Sequence, residues 1–301
     1  MTTVAIAQND DIGTAIDKAL GHLSLEDIVT GRLVAVKPNE TTATPEDKSG
    51  VTQPDTLRAV LRYLKRFNPR HLVVTGGAGA AETDEVFRVA GLMDVVQEEG
   101  AEFVDHNRGP FQSIPLEYGP DREVTGPQRE VMVNPRVLEY ETLVSLAQLK
   151  LHATATVTLT MKNIAMSYPA ADYYGHPRHQ QHHPNVFFDD MHSFITAMVR
   201  RFPIQLGIIA GHPAMIGTGP LGGVPIETGL VIASRDPIAA DAVGAQLLGF
   251  NAQAVRHLWE ASRLGMGETQ PGNMQFPGMS MEDATKAFTS KAYGRELVFQ
   301  S

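Results

Sequence analysis

Short runs of apolar and β-branched residues alternate with segments of helical periodicity along most of the chain. Residues 32–36, 71–75, 204–210 and 230–233 predict buried strands, since such runs suit a strand that is covered on both faces. Residues 54–64, 83–90, 185–201, 237–248 and 254–264 predict helices. Strands that alternate with helices indicate an α/β fold with a mostly parallel sheet and crossover helices.

The helix predicted after the first strand has the clearest pattern. Pro54 suits its first position, and Leu57, Val60, Leu61 and Leu64 then follow at i, i+3, i+4 and i+7.

Two regions are less regular. Residues 101–135 hold short apolar runs among glycines and prolines and predict an antiparallel insertion or small subdomain, which would give two lobes; residues 157–166 fit a helix or an extended segment. We interpret residues 1–301 as a single unit with this insertion.

Composition narrows the classes of function. The chain has 301 residues, a formal net charge of -9 and no long basic run, which argues against nucleic acid as a partner. It has no cysteine, which excludes disulfides, thiolate zinc sites and iron–sulfur clusters held only by cysteines of this chain. A metal would need histidine, carboxylate or backbone ligands. The start lacks a basic segment followed by an apolar run, and no apolar stretch reaches the ~18 residues of a membrane span, so we expect a cytoplasmic protein without a membrane partner.

Polar side chains at strand ends are the first candidate ligand-binding residues. Lys37 and Asn39 follow the first strand, where the carboxyl end of a strand in an open sheet meets ligands. An anion is the ligand that a lysine there would bind, although a surface lysine beside a turn fits as well. Glycines at 76, 77 and 79, and Gly217 and Gly219 later in the chain, would let a ligand approach the backbone, or simply make turns. The first glycine cluster matches neither a Walker motif nor a dinucleotide fingerprint.

The strongest candidate block runs from His152 to Asn163. His152, Lys162 and Asn163 follow one apolar run with little acidic sequence nearby, and a buried lysine with a lowered pKa suits anion binding, Schiff-base chemistry or proton transfer. A lysine paired with a structural carboxylate is the alternative. Asp241 is embedded in an apolar helix, so its carboxylate needs a cation or donors; Lys37, Lys162 or a histidine could pair with it, for ligand binding or for structure alone.

A histidine-rich segment follows this block. Five of the 11 histidines lie between His176 and His192, and together with nearby carboxylates they suit Zn, Ni, Fe or Mn, with His176 and His179 as candidate ligands. Pro177 makes a regular helix there unfavourable, so a polar histidine-rich loop without a metal is the alternative.

These motifs resemble the domain-of-unknown-function family 362, a prokaryotic group. The matching segments are 36–39, 149–152 with 161–163, 217–222 and 234–241, in the family's order over about residues 4–250. Many members add a ferredoxin-like cysteine module; this chain has no cysteine, so the resemblance implies no electron-transfer role here.

The ten-residue spacing of His152 and Lys162 is also similar to that in the nickel-pincer lactate racemase family, although threonine-rich sequence replaces the family's glycines between them. This second likeness implies a shared site architecture more than a shared chemistry.

Two classes of function remain open. The leading hypothesis is an enzyme, a lyase, racemase or other isomerase, or hydrolase, that acts on a small carboxylate-bearing anion. Lys37 and Lys162 would bind the anion, and His152 would be the acid/base group because the ordinary pKa of histidine lies near neutrality. A divalent metal at His176 and His179 would assist. The alternative is a non-catalytic metal- or anion-binding protein that uses residues 176–192. A scaffold protein is a third possibility, and the oligomeric state is open.

Overall fold

One large sheet organises the molecule. The computed structural model describes residues 1–119, 129–175 and 190–297. Its strands are β1 Thr2–Thr3, β2 Ala5–Gln8, β3 Leu33–Pro38, β4 His71–Gly76, β5 Glu102–Asp105, β6 Gln112–Pro115, β7 Glu130–Val133, β8 Thr142–His152, β9 Thr156–Val157, β10 Leu206–Ile216, β11 Val224–Ile226, β12 Leu230–Ser234 and β13 Met274–Gln275. Its helices are α1 Ile12–Leu20, α2 Glu26–Val29, α3 Pro54–Lys65, α4 Thr83–Ala90, α5 Leu92–Glu98, α6 Leu159–Ala165, α7 Ala171–Tyr174, α8 Met191–Arg201, α9 Pro237–Leu247, α10 Arg256–Arg263 and α11 Met281–Tyr293.

The sheet is mostly parallel, as the sequence predicts. Its order is β2-β12-β10-β8-β3-β4-β5, and every pair from β10 to β5 is parallel. At one edge, β12 runs antiparallel to β10, and β2 pairs antiparallel with β12, so β2 has the same direction as the central strands. The carboxyl ends of β3, β4 and β8 therefore meet at one edge of the sheet, which is where open α/β sheets bind ligands.

Both faces of the central strands are covered, which explains their continuous apolar sequence. In β3, Leu33 and Ala35 belong to one buried cluster, whereas Val34 and Val36 belong to the cluster on the other face. Helices α1 and α3 pack together on the second face, and α6 packs against β8, α8 and α9. The core therefore has two layers, with the sheet between them.

The less regular regions take definite forms. Strands β6 and β7 pair as a two-stranded antiparallel sheet, which confirms the antiparallel insertion within residues 101–135. The ambiguous segment 157–166 begins with β9 and continues as α6, so it is both extended and helical. Helix α8 begins at Met191, and residues 185–189 of the predicted helix lie outside the described residues. In the described ranges, every helix is too short or too polar to cross a bilayer.

Candidate functional site

A cavity of about 280 Å³ lies at the carboxyl ends of β3, β4 and β8. Its volume is near the lower end of the range for small-molecule sites. Seven of the candidate residues from the sequence line it: Lys37, Asn39, Gly77, Gly79, His152, Lys162 and Asn163. The strand order explains the convergence, because β3 pairs with β4 on one side and with β8 on the other.

The side chain of Lys37 lines the cavity and is held by contacts with neighbouring side chains. Its Nζ donates to the carboxylate of Glu40 and, at 3.0 Å, to Oδ1 of Asn163. Lys37 is only 2% exposed, so this ion pair is shielded from solvent. Asn163 in turn donates from Nδ2 to the carbonyl of Lys37 and to the hydroxyl of Ser145, each at 3.1 Å. Lys37 is thus a fixed part of the cavity wall, and its charge is offset by a carboxylate.

Glu40 is a site residue that the sequence reasoning missed. Its carboxylate accepts from Lys37 and from the backbone N–H of Gly77 at 2.9 Å, and it lies 3.5 Å from the hydroxyl of Ser167. It therefore connects the end of β3 with the glycine turn that follows β4. A side chain at Gly77 would place Cβ 2.3 Å from the carbonyl oxygen of Ser167, so the close approach requires glycine. A signal was present, since Glu40 stands three residues after the candidate Lys37.

His152 closes the end of β8, and its protonation is set by the following turn. Its Nδ1 accepts from the backbone N–H groups of Thr154 at 3.1 Å and Ala155 at 3.2 Å. Because Nδ1 is an acceptor in both bonds, the neutral ring carries its proton on Nε2. Burial, together with the positive charges of Lys162 and Lys150, lowers the pKa of His152 to about 2. His152 is therefore a neutral hydrogen-bond donor, whereas the sequence led us to expect a pKa near neutrality.

Lys162 lies on α6, a helix of seven residues that are all buried. The helix begins where Asp241 of α9 binds its first turn: the carboxylate accepts from the N–H of Thr160 at 2.7 Å, from its hydroxyl at 2.6 Å and from the N–H of Met161 at 2.9 Å. Burial raises the pKa of Asp241 to about 7, although these three donors favour the ionised form. Asp241 does not line the cavity; it supports the helix that places Lys162 there.

Two polar atoms at the cavity wall lack a hydrogen-bond partner among the described residues. They are the hydroxyl oxygen of Thr158, a side chain that is 2% exposed, and Oδ1 of Asn39. A buried polar atom without a partner is costly unless a ligand or water binds it. Thr158 belongs to the threonine-rich stretch between His152 and Lys162, so the sequence carried a signal for it. These two atoms are the places where a bound molecule would gain hydrogen bonds.

A glycine-rich loop covers the cavity from the side of β10. The carbonyl oxygen of Gly219 accepts from Ala153 at 2.9 Å, and a Cβ at Gly219 would lie 1.9 Å from the carbonyl oxygen of Leu151. Gly219 is therefore required for the close approach of two backbones. Gly217, with a φ of 83°, makes the turn before it. Neither glycine lines the cavity, but the next two residues, Pro220 and Leu221, do.

The end of the histidine-rich segment also reaches this region. Met191 lines the cavity. His192 stacks on His257, with 2.9 Å between their Nδ1 atoms. His192 also bonds to the backbone of Thr154, the residue that donates to His152. The candidate metal ligands His176 and His179 lie outside the described residues. Among the residues that are described, no group of three or more histidines and carboxylates is placed to hold a metal.

The fold and the cavity together define an α/β protein with a buried lysine–histidine site at the carboxyl edge of its sheet. The chain belongs to the family described as Domain of unknown function (DUF362), which matches residues 34–246. This match confirms the resemblance to family 362, and the matched range contains every residue that lines the cavity. The likeness to the nickel-pincer lactate racemase family stays a prediction.

The chain is also similar to a curated protein, the thylakoid-associated protein sll1697 of Synechocystis sp. The two are 23% identical over 252 residues, which cover 82% of this chain and 72% of the Synechocystis protein. The name of that relative gives a location and no reaction. Activity must therefore be argued from the cavity itself.

Proposed function

We propose that the chain is an enzyme that acts on a small carboxylate-bearing anion in the cavity lined by His152 and Lys162. The observation that carries the proposal is the meeting of a lysine, a donor histidine and two buried polar atoms without described partners at one cavity. The reaction would be a lyase, racemase or other isomerase, or hydrolase reaction, because each can use proton transfer by a positioned side chain.

The charges at the cavity favour an anion. Among its described lining residues, Lys37 and Glu40 offset each other, whereas Lys162 adds a further positive charge. Lys37 and Lys162 are buried, so a charge beside them interacts more strongly than it would at the surface. A carboxylate bound beside Lys162 would gain a charge-assisted hydrogen bond.

His152 would be the group that handles protons. Its Nε2–H can donate to a substrate oxygen while the turn holds Nδ1. A bound anion opposes the effect of the lysine charges and raises the pKa of His152 towards its ordinary range. Binding of substrate would therefore bring His152 closer to the pKa that suits acid/base catalysis.

Ligand screening and two substitutions test this proposal. A panel of small carboxylates is measured by calorimetry, and turnover is followed by NMR. We expect Lys162→Met to weaken carboxylate binding by about tenfold or more, as the loss of a charge-assisted hydrogen bond does. We expect His152→Gln to keep binding and to lower turnover by about 10²–10⁴-fold. Lys18→Met and His22→Gln, at exposed positions, are the matched controls. Wild-type binding and turnover in both site variants would contradict the proposal, and binding without any turnover would indicate the non-catalytic alternative.

A divalent metal is a second part of the proposal, supported by the approach of the histidine-rich segment to the cavity at Met191 and His192. The metal would be held by His176 and His179. Elemental analysis of protein purified without a polyhistidine tag tests this, with the double variant His176→Gln/His179→Gln and His22→Gln as its control. Stoichiometric metal that the double variant loses would support the site. Equal metal content in the double variant would contradict it.

We also propose a cytoplasmic location. Cell fractionation tests it, because recovery with membranes would indicate the kind of association that the name of the Synechocystis relative describes.

A further inference from the structure

Three lysines are buried around the cavity, and one of them does not line it. Lys150 lies on β8 two residues before His152, so both side chains lie on the same face of that strand. It is 0% exposed, and its Nζ donates to the carbonyl oxygen of Gly50 at 2.6 Å. In the part of the chain that the structure describes, no carboxylate forms an ion pair with it.

The loop that covers the cavity also shields Lys150. A Cβ at Gly50 would lie 3.1 Å from the side chain of Leu221, and Leu221 lines the cavity. The acceptor of the Lys150 hydrogen bond is thus next to the cavity wall. The amine is fully buried, so charge in the cavity acts on it with less screening than it would at the surface.

We infer that Lys150 takes up a proton when a carboxylate binds in the cavity, so that anion binding and the protonation of Lys150 are linked. The inference rests on the proposed function, since it requires that the cavity bind an anion. It gives this lysine a positioning role in the charge balance of the site, without contact with the ligand.

The electrostatics of the empty site support the link. Burial, and then the charges of Lys162 and Lys37, lower the pKa of Lys150 to about 7, while Glu40 acts in the opposite direction. Within the described residues, the charged groups that act on Lys150 come from β3, from the segment after it and from α6; His152 on β8 is neutral near pH 7. A bound carboxylate adds negative charge, raises the pKa of Lys150 and favours the ammonium form.

The sign of the pH effect follows from linkage. Below the pKa of the empty site, Lys150 is already protonated and binding takes up no proton. Above it, binding takes up a proton, and the affinity falls with rising pH by as much as tenfold per unit. His152 does not account for uptake at about pH 8, because even its ordinary pKa lies more than a unit lower.

Calorimetry in two buffers measures the uptake directly. Acetate, butyrate and succinate are titrated into the protein at about pH 8 in Tris and in triethanolamine, two cationic buffers with different ionisation enthalpies that do not compete as anions. We expect wild type to take up about 0.15–0.4 of a proton per carboxylate bound, which is the uptake at this pH that corresponds to a three- to tenfold effect on affinity. Lys150→Met should take up none, and the exposed Lys18→Met should behave as wild type.

Affinities across pH give a second readout that a structural role would not change. We expect Lys150→Met to bind about three- to tenfold more weakly than wild type near pH 6, because it lacks the cation, and equally well near pH 9, where Lys150 of the empty site is neutral. Binding by wild type without proton uptake, or uptake retained by Lys150→Met, would overturn this inference alone. The absence of carboxylate binding by wild type would overturn it together with the proposed function. If Lys150→Met does not fold, the wild-type titrations in the two buffers still decide.

Discussion

Oδ1 of Asp241 accepts a hydrogen bond of 2.7 Å from the backbone N–H of Thr160, at the first turn of α6. A helix of seven residues is unstable by itself, so this contact between α9 and α6 matters for the position of Lys162. We expect Asp241→Ala to lower the free energy of unfolding by about 2–4 kcal/mol, because it leaves buried donors without an acceptor. Urea unfolding followed by circular dichroism measures the loss.

Asp236 provides the comparison on the same helix. It caps α9 by accepting from the N–H groups of Ile238 and Ala239. We expect Asp236→Ala to cost about 1 kcal/mol, as N-cap substitutions do, without weakening carboxylate binding. If both alanine variants lose the same free energy of unfolding, the buried contact from Asp241 to α6 contributes no more to stability than an ordinary N-cap.

The buried pair of Lys37 and Glu40 gives a second prediction. Glu40→Gln leaves a buried ammonium without its counter-ion, so we expect the free energy of unfolding to fall by about 3–5 kcal/mol. The double variant Lys37→Met/Glu40→Gln removes both charges and should recover most of this loss. A double-mutant cycle from chemical denaturation checks the coupling. If the double variant is less stable than Glu40→Gln, the ion pair does not explain the effect.

A substitution at Thr158 distinguishes an effect on ligand binding from an effect on stability. Its hydroxyl is buried without a described partner, so Thr158→Val removes an unsatisfied group and should leave the free energy of unfolding unchanged or raise it by up to about 1 kcal/mol. If a ligand bonds to this hydroxyl, carboxylate affinity falls by about five- to tenfold. Both are measured on the same preparation, by thermal unfolding and by calorimetry.

Thr289→Val is the matched control for that change. The hydroxyl of Thr289 is buried in α11 and bonds to the carbonyl of Thr285 and to the N–H of Leu297. We expect this variant to lose stability and to keep its carboxylate affinity. A loss of affinity in both variants would show that the effect does not come from the cavity.

His212 contacts two carboxylates at the surface, and the strength of these contacts depends on pH. Its Nδ1 lies 2.7 Å from the carboxylate of Glu227 and its Nε2 lies 3.0 Å from that of Asp55. Hydrogen bonding to Asp55 and the charges of both carboxylates raise the pKa of His212. Because the folded pKa exceeds the unfolded value, the stabilisation is complete below about pH 6.5 and is lost as pH rises through the folded pKa.

The corresponding variant is His212→Gln. We expect wild type to be more stable than this variant by less than about 1 kcal/mol near pH 6, since the carboxylates are largely exposed, and the difference to vanish near pH 9. Chemical denaturation at both pH values measures it, with His22→Gln as the exposed control. A difference that does not change with pH would exclude protonation as its cause.

Much of the fold and of the cavity can be predicted from local sequence. The apolar runs predict the strands, and the carboxyl ends of β3 and β8 are where Lys37 and His152 are expected to meet a ligand. Their common cavity depends on β8 pairing with β3, which links residues more than 100 positions apart and leaves no local pattern. The partner of Asp241 was beyond sequence reasoning for the same reason, since Thr160 precedes it by 81 positions.

Glu40 shows a second reason why part of the site could not be predicted from the sequence. Its sequence context is a polar loop, where a glutamate is ordinarily solvated. Burial of Glu40 follows only once the turn after β4 brings the N–H of Gly77 to its carboxylate. His176 and His179, the candidate metal ligands, lie outside the described residues, so the metal site stays a prediction.

The pairing of β2 with β12 has a consequence for synthesis on the ribosome. Gln8 of β2 lies opposite Leu230, so β2 emerges more than 200 residues before its partner. At typical translation rates this interval lasts roughly 10–45 s. All the residues that line the cavity precede β12, but Asp241, which supports α6, follows it, so both the sheet edge beside β2 and the support of Lys162 form late. Late closure of that edge makes the unpaired β10 edge of the growing sheet the surface most in need of chaperone protection.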